Sequence, residues 1–145
     1  MAKQILKAAA HAFIIKDNQV LLAVRIKTGY CDGLYGVPAG HVDDREVSTQ
    51  ALIRELQEEV NLSVDKKELK HALSMHRVVD EHPYFCTFFE IKDIDLSSLK
   101  NNEPEKCREL KWFNLDKLPE NMVPYIKNAL QAYNADEYYL EDYNQ

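Results

Sequence analysis

The segment from residue 40 to residue 62 constrains the fold of this chain most, because it joins a turn to a helix with a crowded acidic face. It reads GHVDDREVSTQALIRELQEEVNL and follows the turn Val37-Pro38-Ala39-Gly40. Residues three and four apart are neighbours on a helix, so a helix over 47–60 places Glu55, Glu58 and Glu59 on one narrow arc. The adjoining arc is apolar and can face a core; it carries Leu52, Ile53, Leu56 and Val60.

This acidic arc is unfavourable on its own. Like charges at helical spacing repel, and acids at a helix C-terminus also oppose the helix dipole. A hard divalent cation would offset both effects, and Mg²⁺ or Mn²⁺ suits carboxylate ligands best. The alternative is a solvated acidic face relieved by Arg54, one turn before Glu58. The helix alone leaves both interpretations open.

The spacing of the whole segment is more specific than the helix. Gly40 is followed by five residues and Glu46, then by seven residues and Arg54-Glu55-Leu56, with Glu58-Glu59 and Asn61-Leu62 after single-residue gaps. This pattern resembles the signature of the Nudix hydrolases. Asn61 departs from the glycine that is usual in the family, but Asn also tolerates the left-handed conformation that follows a helix end. The strands and the second helix around the motif resemble the family as well.

The resemblance implies an α/β fold, a Nudix-type α/β/α sandwich with a mixed sheet between helices. The sequence itself predicts extended segments over 7–15, 19–25, 69–79, 83–91 and 109–114, and helices over 47–60 and 122–133. Residues 26–36 and 92–102 are predicted as loops, and the second is expected to be the most mobile part. Asp80-Glu81-His82 is predicted to link two strands.

Length and composition fit one soluble domain over residues 1–145. The chain is 46% hydrophobic and 29% charged, and it contains no apolar run long enough to span a bilayer. Three cysteines without metal-type spacing favour reduced thiols and a cytoplasmic location. A net charge of −6 argues against binding to polymeric nucleic acid. The acidic, tyrosine-rich tail, residues 136–145, either frays or packs on the domain or a second copy, which leaves a homodimer open.

The resemblance also implies a set of metal ligands. Glu55, Glu58 and Glu59 are expected to hold Mg²⁺ or Mn²⁺, with Glu55 the candidate for an additional role as general base. Ala39 would supply a backbone carbonyl ligand. A further acid would come from a later loop: Glu105 is the candidate and Glu103 the reserve, with a solvated acidic turn as the alternative. Arg54 is expected to hold the acidic face in register by ion pairing, and Glu46 is assigned a structural or outer-shell role.

Three further residues are candidates for binding substrate. Arg25 ends a strand where a binding loop begins, and from the sequence alone it is a solvated strand end or a functional residue. The resemblance to the Nudix family implies a contact to substrate phosphate, which suits the forked guanidinium. His41 is either a loop residue or another phosphate contact. Tyr35 is a candidate that we expect to pack beneath the motif.

A carboxylate face with divalent ions can neutralise a diphosphate and orient water for attack on phosphorus, and no nucleophilic Ser, Cys or His constellation is evident. The resemblance implies hydrolysis of a nucleoside diphosphate linked to another group. Residues 103–107 ahead of Trp112-Phe113 resemble MutT-like nucleoside triphosphate pyrophosphatases, including those that clear oxidised or modified nucleotides. Pro38-Ala39-Gly40 also resembles ADP-ribose pyrophosphatases. Nucleotide-sugar cleavage and a non-catalytic nucleotide-binding module therefore remain as alternatives.

Overall fold

The computed structural model describes residues 1–79 and 82–143, which form eight strands, two α-helices and one 3₁₀-helix. The strands are β1 (Lys7–Lys16), β2 (Gln19–Arg25), β3 (Tyr35–Gly36), β4 (Ala39–His41), β5 (Lys70–Val79), β6 (His82–Lys92), β7 (Cys107–Asn114) and β8 (Tyr139–Tyr143). The helices are α1 (Ser48–Val60) and α2 (Pro124–Asn134), and the 3₁₀-helix is Lys66–Glu68.

All eight strands form one mixed sheet. Along its main path the order is β3-β2-β1-β6-β5-β8, with β4 paired to β1 and β7 paired to β2. β1 runs parallel to β6, and β5 runs parallel to β8, whereas the other pairs are antiparallel. β1 and β2 pair only at their hairpin end, Ile15–Lys16 with Gln19–Val20. Beyond that point β4 takes the place beside β1, which brings the turn before α1 into the sheet.

The two helices cover opposite faces of the sheet. Successive side chains of β1 point to alternate faces, so this strand contributes to the cores under both helices. Ala10, Ala12 and Ile14 belong to the core under α1. Phe13 and Ile15 belong to the core under α2. The apolar stripe of each helix faces its own core, with Leu52 and Leu56 on α1, and Ile126 and Leu130 on α2. The predicted α/β/α sandwich with a mixed sheet is confirmed.

The shortest strands were missed. β3 lies in the segment predicted as a loop, and β4 lies in the predicted turn before the helix. Strands of two and three residues show no period from which to recognise them, and here they exist because β2 and β1 offer them partners. β7 also begins at Cys107, two residues earlier than predicted.

The segment 92–102, predicted to be the most mobile loop, makes hydrogen bonds to the end of α1. The backbone N–H of Lys100 donates to the carbonyl of Val60, and that of Asn102 donates to the carbonyl of Glu59. Ser98 Oγ donates to the carbonyl of Asn61 at 2.8 Å. The segment therefore supplies partners for carbonyls that the end of α1 leaves free.

The tail is also ordered against the domain where it is described. Residues 139–143 form β8 at the edge of the sheet, in parallel register with Ser74–Val78 of β5. The tail therefore packs on the domain rather than fraying over these residues. Asp80 and Glu81, predicted to link β5 and β6, lie outside the described residues, and β6 begins at His82. No helix of the described residues is both long enough and apolar enough to cross a membrane.

Candidate active site

The ends of α1 place the acidic face next to β4. Val47 precedes the helix in an extended conformation, and its N–H donates to Gln50 Oε1 at 3.0 Å, which satisfies a backbone group at the start. Asn61 ends the helix in the left-handed conformation, with φ 58° and ψ 38°. The expectation that Asn replaces the usual glycine there is confirmed. Asn61 also donates through Nδ2 to the carbonyl of Ser98 at 2.9 Å, a contact that glycine lacks.

Gly40 allows the closest approach between β4 and α1. A Cβ atom at this position would lie 2.3 Å from Cγ and Cδ of Glu55 and 2.5 Å from its Oε1. These separations are far below van der Waals contact, so only glycine leaves room for the carboxylate. The first glycine of the motif thus has a direct physical role, because it lets Glu55 pack against the backbone of β4.

Arg54 is the centre of an ion-pair network on the same surface. Its Nε lies 2.9 Å from Glu46 Oε2, and its Nη1 lies 2.7 Å from Glu55 Oε1 and 3.7 Å from Glu58 Oε2. Glu46 also accepts from the N–H of Asp43 at 2.9 Å, and with Arg54 this lowers the pKa of Glu46 to about 2. Glu46 and Glu55 raise the pKa of the Arg54 guanidinium in turn. These contacts agree with the ion-pairing role expected of Arg54 and the structural role expected of Glu46.

Glu59 is a desolvated acid at the end of α1. Its Oε1 accepts the N–H of Ala39 at 3.1 Å, which joins the end of α1 to β4. Burial raises the pKa of Glu59 well above its usual value, and the charges of Glu55 and Glu103 raise it further. The hydrogen bond from Ala39 acts in the opposite direction. Carboxylates that crowd one another in this way are typical of sites that a cation completes.

The later-loop acid that approaches the cluster is Glu103, the reserve candidate. Burial raises the pKa of Glu103; the charge of Lys106 acts in the opposite direction, and those of Glu105, Glu55 and Glu58 raise it further. Glu103 lies in the tight turn that leads into β7, where its carbonyl accepts from the N–H groups of Lys106 and Cys107. Glu105, the first candidate, is an exposed residue of the same turn.

The donor chemistry of this cluster fits a hard divalent cation, because it consists of carboxylates beside a backbone strand. Over residues 1–79 and 82–143, however, no three acidic, Cys or His side chains converge as a complete metal site. In this structure Glu55 and Glu58 form ion pairs with Arg54 instead of converging on one point with Glu59. A cation would compete with Arg54 for these two carboxylates, whereas Glu59 already faces β4.

The three predicted substrate-binding residues occupy different environments. Arg25 is exposed at the end of β2, and its Nε donates to the carbonyl of Tyr30 at 3.0 Å. His41 is exposed at the end of β4, where its Nε2 lies 3.1 Å from the hydroxyl of Tyr84 and the two rings stack. Tyr35 is 8% exposed, and its hydroxyl donates to Glu109 Oε1 at 2.6 Å. Tyr35 therefore packs in the core as expected, but in the core under α2 rather than beneath the motif helix α1.

A cleft of about 400 Å³ opens on the α2 face of the sheet. Its lining includes Tyr30 from the loop after β2, Arg77 from β5, Tyr125 and Asn128 from α2, and Asp142 from β8. Arg77 pairs with Tyr84 in the β5–β6 register, and Tyr84 contacts His41. The cleft therefore lies near the exposed end of β4, and α1 with its carboxylates lies on the opposite side of that strand.

Sequence reasoning missed Arg77 and Asp142. A signal was present in β5, because Leu73, Met75 and Arg77 alternate toward the α2 core. An arginine at the end of an apolar face needs a partner and marks either an ion pair or a site. That partner is Asp142, which the sequence places in a tail with no evident contact to β5.

Comparison with known proteins agrees with this fold and motif. The NUDIX domain family model matches residues 6–133, which is most of the chain. The 8-oxo-dGTP diphosphatase of Proteus vulgaris is 35% identical over 82 residues, covering 57% of this chain and 72% of that protein. The RNA pyrophosphohydrolase of Erythrobacter litoralis (strain HTCC2594) is 29% identical over 135 residues, covering 81% of this chain and 80% of that protein.

A solved structure shows the same architecture. The MutT NUDIX hydrolase of Burkholderia pseudomallei superposes with a TM-score of 0.78 at 24% identity, covering 88% of this chain and 98% of that one. The match of the family model, together with the carboxylate helix and the mixed sheet between two helices, establishes that this chain belongs to the Nudix hydrolase family and is a MutT-like enzyme.

Proposed function

We propose that this enzyme hydrolyses nucleoside triphosphates, including oxidised or modified ones, to a nucleoside monophosphate and pyrophosphate in the presence of Mg²⁺. One observation carries the proposal. Glu55 and Glu59 are held against the backbone of β4 by Gly40 and by the N–H of Ala39, beside the strand end that approaches the cleft. A polyphosphate crossing β4 would reach the carboxylates while its nucleoside occupies the cleft.

Glu55, Glu58 and Glu59, together with the carbonyl of Ala39, would hold Mg²⁺ or Mn²⁺, metals of the kind that Nudix enzymes generally use. When bound, the cation would neutralise phosphate charge and make water more acidic. We propose Glu55 as the general base, and its carboxylate lies next to the backbone of Gly40. Its carboxylate would accept the proton of the attacking water, a role that requires its release from Arg54. For the additional ligand we propose Glu103 in place of Glu105, because Glu103 is the less exposed of the two and the N–H of its neighbour Asn102 donates to the carbonyl of Glu59.

Two cationic or polar side chains remain for the phosphates. Arg25 is exposed and presents its guanidinium beside Tyr30. His41 is exposed on the strand that carries Gly40. Both are proposed phosphate contacts. Tyr30 is 51% exposed and lines the cleft, so its ring is the natural surface on which a base could stack.

The triphosphate is favoured over other nucleotides by the similarity to a relative named as an 8-oxo-dGTP diphosphatase. The relative named as an RNA pyrophosphohydrolase favours a second substrate, a triphosphate at an RNA end. A net charge of −6 opposes extensive contact with a polyanion, so we propose the free nucleotide. Cleavage of a nucleotide sugar such as ADP-ribose, or binding without turnover, are the outcomes that would replace this proposal.

A product panel tests the proposal. Wild-type enzyme with Mg²⁺ is incubated with nucleoside triphosphates, 8-oxo-dGTP, ADP-ribose and a short RNA carrying a 5′-triphosphate, and products are separated by chromatography. We expect pyrophosphate and monophosphate from free triphosphates. Faster release of AMP from ADP-ribose, or turnover of the RNA alone, would contradict the assignment.

Matched variants connect that activity to the site. Glu58→Gln removes a proposed ligand and should lower kcat/KM by about a hundredfold or more. Glu137→Gln, an exposed glutamate at the start of the tail, should leave it unchanged. Equal activity of Glu58→Gln and Glu137→Gln would show that the Glu58 carboxylate is not needed for catalysis and would contradict the proposed site.

We further propose a cytoplasmic enzyme without membrane contact. Cys31, Cys86 and Cys107 are all free thiols, which suits a reducing compartment. A homodimer is proposed through β8, because it lies at the edge of the sheet with Tyr139 and Tyr143 exposed. Light scattering of the purified protein distinguishes monomer from dimer.

A further inference from the structure

Arg77 is the most constrained cation at the cleft. Its side chain is only 12% exposed, and its Nε donates to Asp142 Oδ2 at 3.0 Å. The guanidinium carbon lies 3.8 Å from the centre of the Tyr125 ring, in cation–π contact. Tyr125 is itself fixed, because its hydroxyl lies 2.9 Å from Nε2 of the buried His11. The planar donor group of Arg77 is therefore held in one orientation.

The C-terminal strand provides that orientation. Asp142 lies opposite Arg77 in the parallel β5–β8 register, and Leu140 two residues earlier packs against the core under α2. β8 thus brings a carboxylate to the cleft from a segment that follows the last helix. An arginine fork that is pre-oriented in this way loses little conformational entropy when it donates to a ligand.

Arg77 differs from Arg25, the proposed phosphate contact, in that a carboxylate already neutralises its charge. Asp142 already neutralises Arg77, so the pair attracts an additional anion only weakly. In the part of the chain that the structure describes, no carboxylate lies within ion-pair distance of Arg25. Arg25 consequently suits a phosphate, whereas the remaining N–H donors of Arg77 suit a neutral acceptor.

We propose that Arg77 selects the base, by donating to a carbonyl oxygen of the nucleobase, and that Asp142 is the positioning residue that orients it. This inference rests on the proposed function, since it assigns the cleft to the nucleoside. Guanine, cytosine and uracil carry such a carbonyl, and adenine does not. Adenine offers only ring nitrogens, each with one lone pair, whereas a carbonyl oxygen has two and can accept two N–H groups of the guanidinium fork. The cleft accordingly favours carbonyl-bearing bases, because adenine satisfies fewer of the Arg77 donors.

Steady-state kinetics with GTP, CTP, UTP and ATP test the selection. For the wild type we expect KM for ATP to exceed that of the best other triphosphate at least about tenfold, with similar kcat. Arg77→Lys keeps the charge beside Asp142 but loses the fork, and should reduce this ratio to about two- or threefold. Asp142→Asn should reduce it as well. Glu141→Gln, on the neighbouring residue of β8, should leave it intact.

A purely structural role for the pair predicts a different result. If Arg77 and Asp142 only attach β8 to the sheet, the variants raise KM equally for all four nucleotides and lower the melting temperature, and the ratio stays unchanged. That result, or a wild type that prefers ATP, would overturn the inference.

Direct binding separates this inference from the proposed function. Isothermal titration of GMP, CMP, UMP and AMP into the protein requires no turnover. Tighter binding of the carbonyl-bearing monophosphates, lost in Arg77→Lys, supports base selection even if the triphosphates are not hydrolysed. Tighter binding of AMP, or no difference among the four, overturns it even if they are.

Discussion

Replacing Gly40 with alanine separates the stability of this fold from its activity. The new Cβ would lie 2.3 Å from Cγ and Cδ of Glu55, so that side chain must rotate away from β4. Overpacking of this kind costs about 1–3 kcal/mol, and we expect the lower end because a glutamate side chain is flexible. The rotation also breaks the 2.7 Å contact between Glu55 and Arg54.

The effect on catalysis should be much larger than the effect on stability. A displacement of about 1 Å in a reacting group lowers activity by about a hundredfold. Gly40→Ala should therefore reduce kcat/KM at least about a hundredfold while lowering the free energy of unfolding by only about 1 kcal/mol. Pyrophosphate release and urea unfolding measure the two quantities on the same preparation.

Two controls make the prediction specific. At Gly36 an added Cβ would meet its nearest heavy atom, Cγ2 of Val123, at 3.6 Å, an ordinary van der Waals contact. Gly36→Ala should therefore change both quantities little. Combining Gly40→Ala with Glu55→Ala should restore most of the lost stability without restoring activity, because the clashing atoms are gone. Normal activity in Gly40→Ala, or no recovery of stability in the double variant, would contradict the claim that Gly40 makes room for the Glu55 side chain against β4.

Three further predictions follow from single contacts. Burial lowers the pKa of His11 to about 4 from 6.5, so the unfolded state takes up the proton first and the contribution of His11 to stability falls as pH drops from about 6.5 to 4. Between pH 7.5 and 5 we expect this contribution to fall by about 2 kcal/mol, measured by chemical denaturation as the difference between the pH profiles of wild type and His11→Gln, whereas the profile of His71→Gln should match wild type. Glu103→Gln should lower kcat/KM about tenfold or more in a pyrophosphate assay, whereas Glu105→Gln should stay within about twofold of wild type. A larger loss in Glu105→Gln than in Glu103→Gln would make Glu105 the additional ligand instead. Asn61→Ala should lower the melting temperature more than Asn61→Gly, by the equivalent of about 1–2 kcal/mol, since only glycine relieves the left-handed strain; equal shifts would attribute the residue's role to its side-chain hydrogen bonds alone.

The sequence predicted the parts of this fold that repeat a period. β1, β2, α1 and α2 were each found within two residues of their observed ends, since their apolar residues recur at strand or helix spacing. β3 and β4 were missed because a strand of two or three residues exists only through its partner. The left-handed Asn61 was predictable, since its conformation is a local property of the residue type and its place after a helix.

For the candidate site too, features set by local spacing were predictable and contacts between distant segments were not. Helical spacing places Glu55, Glu58 and Glu59 on one face of α1 whatever the rest of the chain does, so that shared face was predictable. Arg77 and Asp142 were not predicted, because 65 residues separate them and only the β5–β8 pairing joins them. The choice between Glu103 and Glu105 depends on the direction of a tight turn, which the spacing of two nearby acids does not encode.

The measurement that tests the central claim most directly is binding of divalent metal by the acidic face of α1. Mn²⁺ is titrated calorimetrically into the protein saturated with an α,β-methylene nucleoside triphosphate, which the enzyme cannot cleave at that position. We expect tight binding by the wild type and at least about tenfold weaker binding by Glu58→Gln and Glu59→Gln, with Glu137→Gln unchanged. Affinities that are the same in all four proteins would show that these carboxylates hold no metal and would contradict the account.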